Sequence, residues 1–549
     1  MQLTGSQVVM ECLKEQSVEY IFGYPGGAIM PVYDAMYDYR DKVKHILTSH
    51  EQGAVHAADG YARVTGKVGV CFCTSGPGAT NTVTGIATAY MDSVPLVVIA
   101  GQVGLSLIGK DSFQEVDVTG VTLPITKHNY FVDDIEELAD IIREAFYIAK
   151  EGRPGPVLID LPKNIMIERT EFESKVPKTY TVNKDFDQSQ LEEIGKLINE
   201  AKRPIIYAGG GIIIANADQE LRELADRAEI PVTNSLMGLG SYPRDGILSL
   251  GMVGMHGSKE ANLAMNRSDL VLALGARFSD RVTGDPAKFA PKAKIVHIDI
   301  DKSEISKNVK AHYSIIGDVK IILGQLLPLV EEKDRKNWIH EVKQWAKPLP
   351  REDRFVAKNI FRIADAILGE DTLIVTEVGQ HQMWVAQSWP FRKARSFITS
   401  GGLGTMGYGL GAAIGSQIAA PHKNVLHVAG DGSFRMNLNE LITVAANQLP
   451  IITLVIKNDT LGMVRQWQKL FHQERYSSTD LPDVIDYTKL AEAFGSKAVH
   501  VTNLAEFKKA MEEAHEERKS RIIVCHVNIN DGVYPIVPPS EGIDHQIFK

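Results

Sequence analysis

Asp431 stands between two glycines at the end of an apolar run, Val425-Leu426-His427-Val428-Ala429-Gly430-Asp431-Gly432-Ser433, and Asn458 follows a second apolar run, 450–456. A carboxylate and an amide oxygen are the hard ligands that Mg²⁺ prefers, and glycines without Cβ let backbone approach phosphate oxygens. The pattern predicts a site for Mg²⁺-diphosphate, with Asp431, Asn458 and a backbone carbonyl near Thr460 as protein ligands and diphosphate and water completing the octahedron. Alone, Gly-Asp-Gly is more often a turn. Here both ligands fall at carboxyl ends of buried strands, where open α/β sheets bind their ligands.

The elements that must position these residues are legible as strand-like runs alternating with helical patterns. Strands are expected at 68–74, 95–100, 156–161, 204–208, 269–274, 294–300, 371–377, 425–429, 450–456 and 521–527. Repeated βα units imply an α/β fold of parallel sheets flanked by helices. Polar stretches at 168–187 and 331–354 predict boundaries between three domains, 1–167, 188–330 and 355–530, followed by a tail, 531–549, of irregular structure that could fold over a site. The charge run Glu331-Glu332-Lys333-Asp334-Arg335-Lys336 reads as a solvated helix face.

A chain of 549 residues exceeds a single core. Its net charge of −9 and 23% charged residues, with a pI near 6.0, advertise no basic face for nucleic acid or an anionic membrane. No apolar stretch is long enough to span a bilayer and no leader is recognised, so a cytoplasmic protein is expected. Cys12, Cys71, Cys73 and Cys525 form no CxxC pair and are expected to be buried thiols.

A helix rich in small residues begins at Glu51 (His50-Glu51-Gln52-Gly53-Ala54). Tyr24-Pro25-Gly26-Gly27-Ala28 precedes it, and Thr74-Ser75-Gly76-Pro77-Gly78-Ala79-Thr80-Asn81 follows. A lone Glu there is ordinarily a dipole partner. As a set, these segments with Gly430–Gly432 and Asn458 resemble the thiamine-diphosphate enzymes. In that family one domain supplies a glutamate to the cofactor's pyrimidine, and a second, similarly folded domain holds Mg²⁺ and diphosphate. The resemblance implies that Glu51, expected to be buried, activates the cofactor, and that Met406 in Gly402-Leu403-Gly404-Thr405-Met406-Gly407 wedges beneath it; core packing is the competing role for Met406.

Further motifs narrow the resemblance to the catalytic subunit of the acetohydroxyacid (acetolactate) synthases across essentially the whole chain. These are Phe113-Gln114-Glu115, Gly152-Arg153-Pro154-Gly155-Pro156, Gly254-Met255-His256-Gly257, 275–284, Val378-Gly379-Gln380-His381 and Gly462-Met463-Val464-Arg465-Gln466-Trp467. The resemblance implies Gln380, His381, Gly430, Gly432, Ser433 and Met463 around thiamine diphosphate, and Gly27 and Gln114 close to the reacting ring. Phe113 and Lys163 would line the entry, and Arg277 and Trp467 would select the second 2-ketoacid. A guanidinium suits a carboxylate and an indole an apolar wall. A surface ion pair with Asp280 competes for Arg277, and core packing for Trp467.

In the middle domain Gly209-Gly210-Gly211 follows the run 204–208. It lacks GxGxxG spacing, so a tight turn competes equally with nucleotide binding. By resemblance this is an FAD domain, with Arg153, Met255, His256, Arg281, Asp299 and Asp318 among the flavin's neighbours and the flavin chiefly structural.

The implied activity joins pyruvate, after loss of CO₂, to a second pyruvate or to 2-ketobutyrate, on the route to branched-chain amino acids. The implied assembly is a homodimer or homotetramer with its active site at the subunit interface, open to a small regulatory subunit. An FAD-free catabolic acetolactate synthase, a pyruvate oxidase and a non-catalytic scaffold are the alternatives. Two positions depart from the family: Lys457 replaces the usual Asn and is expected to alter the surroundings of Mg²⁺, and Gly411 replaces a common Pro and is expected to loosen a turn.

Overall fold

The apolar runs become the central strands of three six-stranded sheets, each parallel throughout, in the computed structural model, which describes residues 1–180, 182, 184–346 and 352–548. Strands buried on both faces must be continuously apolar, which is why these runs carry so few polar residues. The first sheet lies in the spatial order Lys44–Leu47, Tyr20–Gly23, Gly69–Cys73, Leu96–Gln102, Pro156–Pro162, His128–Phe131. The third lies in the order Phe397–Ile398, Leu373–Thr376, Val425–Gly430, Ile452–Lys457, Arg521–His526, Lys497–Val501. Numbered along the chain, both orders are 2-1-3-4-6-5, so the two outer domains are copies of one topology.

The middle sheet differs. Its order, Ser249–Met252, Val232–Asn234, Pro204–Ala208, Leu270–Leu274, Lys294–Asp299, Tyr313–Ile316, is 3-2-1-4-5-6 along the chain, the order of dinucleotide-binding folds.

The outer domains share a core. Helix Glu51–Thr65 of the first crosses helix Gly409–Ala419 of the third, and one apolar cluster contains residues of both, from Ala54, Ala57 and Ala58 to Tyr408, Ala412 and Ala413. The crossing is tight because glycines face backbone. A Cβ on Gly60 would collide with the Ala412 carbonyl, and one on Gly415 with the Ala57 carbonyl. Gly411 belongs to this contact: it lies inside the helix, where a Cβ would sit 2.9 Å from the Gly53 carbonyl oxygen, so the expected loosened turn is corrected to a close helix approach.

Two polar stretches expected as boundaries contain residues outside the described set, 181 and 183 in one and 347–351 in the other. In the second, Glu331, Glu332, Asp334 and Lys336 are exposed as expected, but the helix begins only at Lys336 and Arg335 departs from the solvated run. Arg335 is buried, donating to the Ile198, Ala201 and Ala228 carbonyls, and helix Lys336–Lys343 places Trp338 Nε1 3.0 Å from the Pro204 carbonyl. The carboxyl ends of two helices, Gln188–Glu200 and Asp218–Ala228, therefore drain into one guanidinium, whose planar fork suits several acceptors. All four cysteines are free and buried, and burial pushes the Cys12 thiol up to about 12. Among the described residues, no helix is long and apolar enough to cross a membrane.

The tail is ordered against both later domains. Val533, Ile536, Val537 and Ile543 are buried; Val537 N donates to Met255 O at 2.9 Å, and Asn262 Nδ2 to Ile543 O at 2.8 Å.

Candidate functional site

In the third domain the chain reverses direction of strand addition between Leu373–Thr376 and Val425–Gly430, and a crevice forms beyond their carboxyl ends. Three helices begin there: Gln380–Ser388, Asp431–Phe434 and Gly462–Phe471. Their unpaired N–H groups and dipoles make the crevice a cradle for an anion.

Side chains knit the cradle. Asn458 Nδ2 donates to Gln380 Oε1 at 3.2 Å, and Gln380 Nε2 donates to Gln466 Oε1 at 3.0 Å and to Asp531 O at 3.2 Å. Gln466 also exchanges two hydrogen bonds with the backbone of Val533, at 2.8 and 2.9 Å, fixing the start of the tail across the cradle. His381 is buried, its Nε2 has no partner among the described residues, and burial pushes its pKa down to about 3, so it is a neutral ring with an open nitrogen. Gly430 makes room for that ring, since a Cβ there would lie 2.9 Å from His381 Nδ1. Ser433 Oγ turns back to Gly430 O at 3.3 Å.

Asp431 and Asn458 end adjacent parallel strands. Asp431 Oδ2 accepts the Asp459 N–H at 2.8 Å, and Asn458 Oδ1 accepts, among the described residues, only a long 3.3 Å contact from Thr460 N. Burial pushes the Asp431 carboxyl up, a cost that a bound cation removes. Among the described residues no three His, Cys, Asp or Glu side chains converge as a metal cluster. The donor set of one carboxylate, one amide and backbone near Thr460 therefore fits Mg²⁺ only in company with ligand oxygens and water. Lys457 is paired with Asp459 and with Asp483, and Asp459 holds Asp431, so the unusual lysine acts two links from the metal position.

In the first domain the equivalent crevice lies between the loops after Tyr20–Gly23 and Gly69–Cys73. Glu51, first residue of its helix, is buried; Asn81 Nδ2 donates to its Oε2 at 2.9 Å, and Gly78 lies beside its Oε1. Gln114, at φ 61°, packs over Gly76 of the same loop. Gly27 is exposed with open space where a Cβ would be, Phe113 is 88% exposed, and Lys163 is exposed at the start of helix Lys163–Ile167. Met406 is 47% exposed, Met463 packs partly buried against the core of the third domain, and Trp467 is half-buried with its ring edge-on to Phe471 at 5.2 Å. No hydrogen bond joins Gly27, Phe113, Lys163 or Trp467 to the cradle among the described residues.

At the switch point of the middle sheet, between Pro204–Ala208 and Leu270–Leu274, Gly209 and Gly211 pack directly on Gly275, and Gly210 faces Met237. The bare backbone, Asp299 at the end of its strand and Met255-His256 beyond another fit a dinucleotide at that place. Burial pushes Asp299 up to about 6, and Arg153, bonded to Asp301 and Glu304, brings the first domain alongside. Gln387 donates to His256 O at 2.9 Å while its Oε1 and Ser388 Oγ remain buried without partners among the described residues, leaving acceptors that a ligand can fill. Asp318 is spent as a helix cap on Lys320 and Ile321 N–H. Asp280 pairs with Arg281, so the competing ion pair for Arg277 does not form; Arg277 is half-buried, and its carbonyl accepts the Tyr207 hydroxyl at 2.9 Å.

Asn81, Gln466 and three buried carboxylates, Asp92, Glu377 and Glu440, were not singled out from sequence. Glu440 accepts from Ser49 N–H at 3.1 Å and Thr443 Oγ1 at 2.6 Å, fastening the segment before Glu51 to the third domain. A signal existed only for Asn81 and Gln466, which lie within conspicuous motifs; the carboxylates sit in runs that read as ordinary strand and helix ends.

Family models describing thiamine pyrophosphate enzymes match in three places: the N-terminal TPP binding domain at 3–121, the central domain at 191–326 and the C-terminal TPP binding domain at 377–526. A probable acetolactate synthase large subunit of Methanocaldococcus jannaschii is 46% identical over 98% of this chain and 94% of its own length. The acetolactate synthase large subunit of Pyropia yezoensis is 44% identical over 98% and 94%, and the acetolactate synthase isozyme 2 large subunit of Escherichia coli K12 is 44% identical over the full length of both.

Proposed function

Because the chain belongs to the thiamine pyrophosphate enzymes, and within them to the acetolactate synthase large subunits, we propose that its two outer domains jointly hold thiamine diphosphate with Mg²⁺ and its middle domain FAD. The protein is a thiamine-diphosphate-dependent acetolactate synthase. The observation that carries the site reading is the convergence of Asp431, Asn458 and three helix starts on one crevice.

Thiamine diphosphate, when bound, supplies the electron sink that lets a 2-ketoacid lose CO₂ and add to a second carbonyl. The chain's own residues do the rest. Asp431, Asn458 and backbone at Thr460 hold the metal, and Gln380, His381 and the N–H groups at Gly430–Ser433 receive the diphosphate. Glu51, oriented by Asn81, holds a proton at its carboxylate for the pyrimidine ring, and Met406 and Met463 give apolar support. Arg277 pairs with the carboxylate of the second ketoacid, pyruvate or 2-ketobutyrate, against the Trp467 indole. Gly27, Gln114, Phe113 and Lys163 form the approach. The tail, held by Gln466, keeps water from the crevice.

Glu51 and Asp431 belong to different domains, and the resemblance to the family implies that each complete site takes one from each of two copies. Exposed Met406, Met436 (59%), Leu403 (44%) and Phe113 support such an interface. The words "large subunit" in the relatives' names support a smaller partner. These assignments are tested by calorimetric titration of thiamine diphosphate with Mg²⁺, where D431N and N458A lose most of the binding and D140N, a surface change, loses none.

A further inference from the structure

The segment carrying Met406 is fastened at both ends by buried carboxylates from elsewhere in the chain. At its start Asp92, last residue of helix Val83–Asp92 in the first domain, accepts the Gly401 N–H at 2.9 Å and the Gly402 N–H at 2.7 Å, one on each oxygen. At its end Glu377 accepts the N–H groups of Gly407, Gly409 and Leu410 at 2.7, 2.9 and 3.3 Å. Between them Thr405 N donates to Ser400 Oγ at 3.0 Å, and the Thr405 and Thr88 hydroxyls meet at 2.7 Å. Thr405 and Gly407 are buried, and Met406 alone projects between them.

Asp92 is itself fixed. Arg63 Nη2 donates to it at 2.9 Å while Arg63 Nε donates to Asp59 at 2.6 Å, and the Tyr408 hydroxyl donates to Asp59 at 2.5 Å. The ring of contacts therefore leaves the segment at Gly401–Gly402, passes through the first domain and returns at Tyr408. The Asp59 and Asp92 side chains are wholly buried, and each carboxylate is paired with the same guanidinium, the condition under which buried charge is tolerated.

We infer that Asp92 is a positioning residue for Met406: a carboxylate from the first domain sets the height at which the third domain presents its apolar support to the cofactor. The inference rests on the reading of Met406 as that support. Two charge-assisted hydrogen bonds to consecutive N–H groups are strong and directional. An amide in place of the carboxylate keeps the shape but turns a donor toward one of those groups.

The test is the rate at which the C2 proton of bound thiamine diphosphate exchanges with D₂O in the absence of substrate, read by NMR after acid quench, beside melting temperature. D92N slows exchange by roughly tenfold or more, as a displacement of an ångström in a supporting group does. G402A, whose new Cβ would lie 2.9 Å from Asp92 Oδ1, reproduces the defect from the other side and carries the test should D92N fail to fold. M406A slows exchange as well, and D92N combined with M406A is no slower than M406A alone, because both act through one side chain. Full additivity of the two changes, or wild-type exchange in D92N and G402A, overturns the inference while leaving the functional reading intact. Wild-type protein that binds the cofactor without exchanging its C2 proton overturns both.

Discussion

Asn81 donates its side-chain amide to Glu51 across 2.9 Å, so one carboxylate oxygen is committed within the protein and the other faces Gly78. The arrangement fixes the carboxylate's direction through an uncharged partner. E51Q is expected to lower acetolactate formation by about 10²- to 10⁴-fold, the range for loss of a positioned acid–base group, and N81A by a smaller factor. Steady-state rates with melting curves check this; equal rates in E51Q and wild type contradict it.

The crossing of the helices that carry Glu51 and Gly415 leaves no room for a methyl group. G60A and G415A are each expected to destabilise the fold by about 1–3 kcal/mol, since the obstacle is backbone and cannot rotate aside. Urea midpoints measure the effect, and unchanged midpoints contradict the close approach.

Arg335 satisfies the carbonyls of Ile198, Ala201 and Ala228. R335A strips them together, at about 1–3 kcal/mol for each buried group left unpaired. Denaturation of the variant is expected to begin in the middle domain, as a separate early transition in calorimetry.

His56 is completely buried, its Nδ1 lacks a partner among the described residues, and desolvation pushes its pKa down to about 3. The unfolded chain takes up a proton there below about pH 6.5 while the folded one does not, so this residue removes stability as pH falls from 6.5 toward 3. Relative to the non-titrating H56Q, wild type is expected to lose about 1.4 kcal/mol for each pH unit below 6.5. Urea titrations of both proteins at pH 7, 6 and 5 test this; a pH-independent difference contradicts it.

Ten strands were legible because long parallel strands buried on both faces must be apolar from end to end. Those not foreseen are short or lie at sheet edges, such as Phe397–Ile398, Lys44–Leu47 and Lys497–Val501, where one side meets solvent and the apolar signal thins. Glu51, Asp431 and Asn458 could be singled out because each sits at an element boundary, Asp431 between two glycines. Gly411 was misread as a turn residue and Arg335 as a solvated one, since a glycine facing a helix and a guanidinium collecting carbonyls have local sequences like any other. Asp92, bonded to Gly402 hundreds of positions away, leaves no local trace at all.

The most direct test of the account incubates purified protein with pyruvate, Mg²⁺, thiamine diphosphate and FAD and quantifies acetolactate against acetate and acetaldehyde, with and without the flavin. The account predicts acetolactate as the main product, lost when flavin is removed. Acetate or acetaldehyde as the sole product would contradict it.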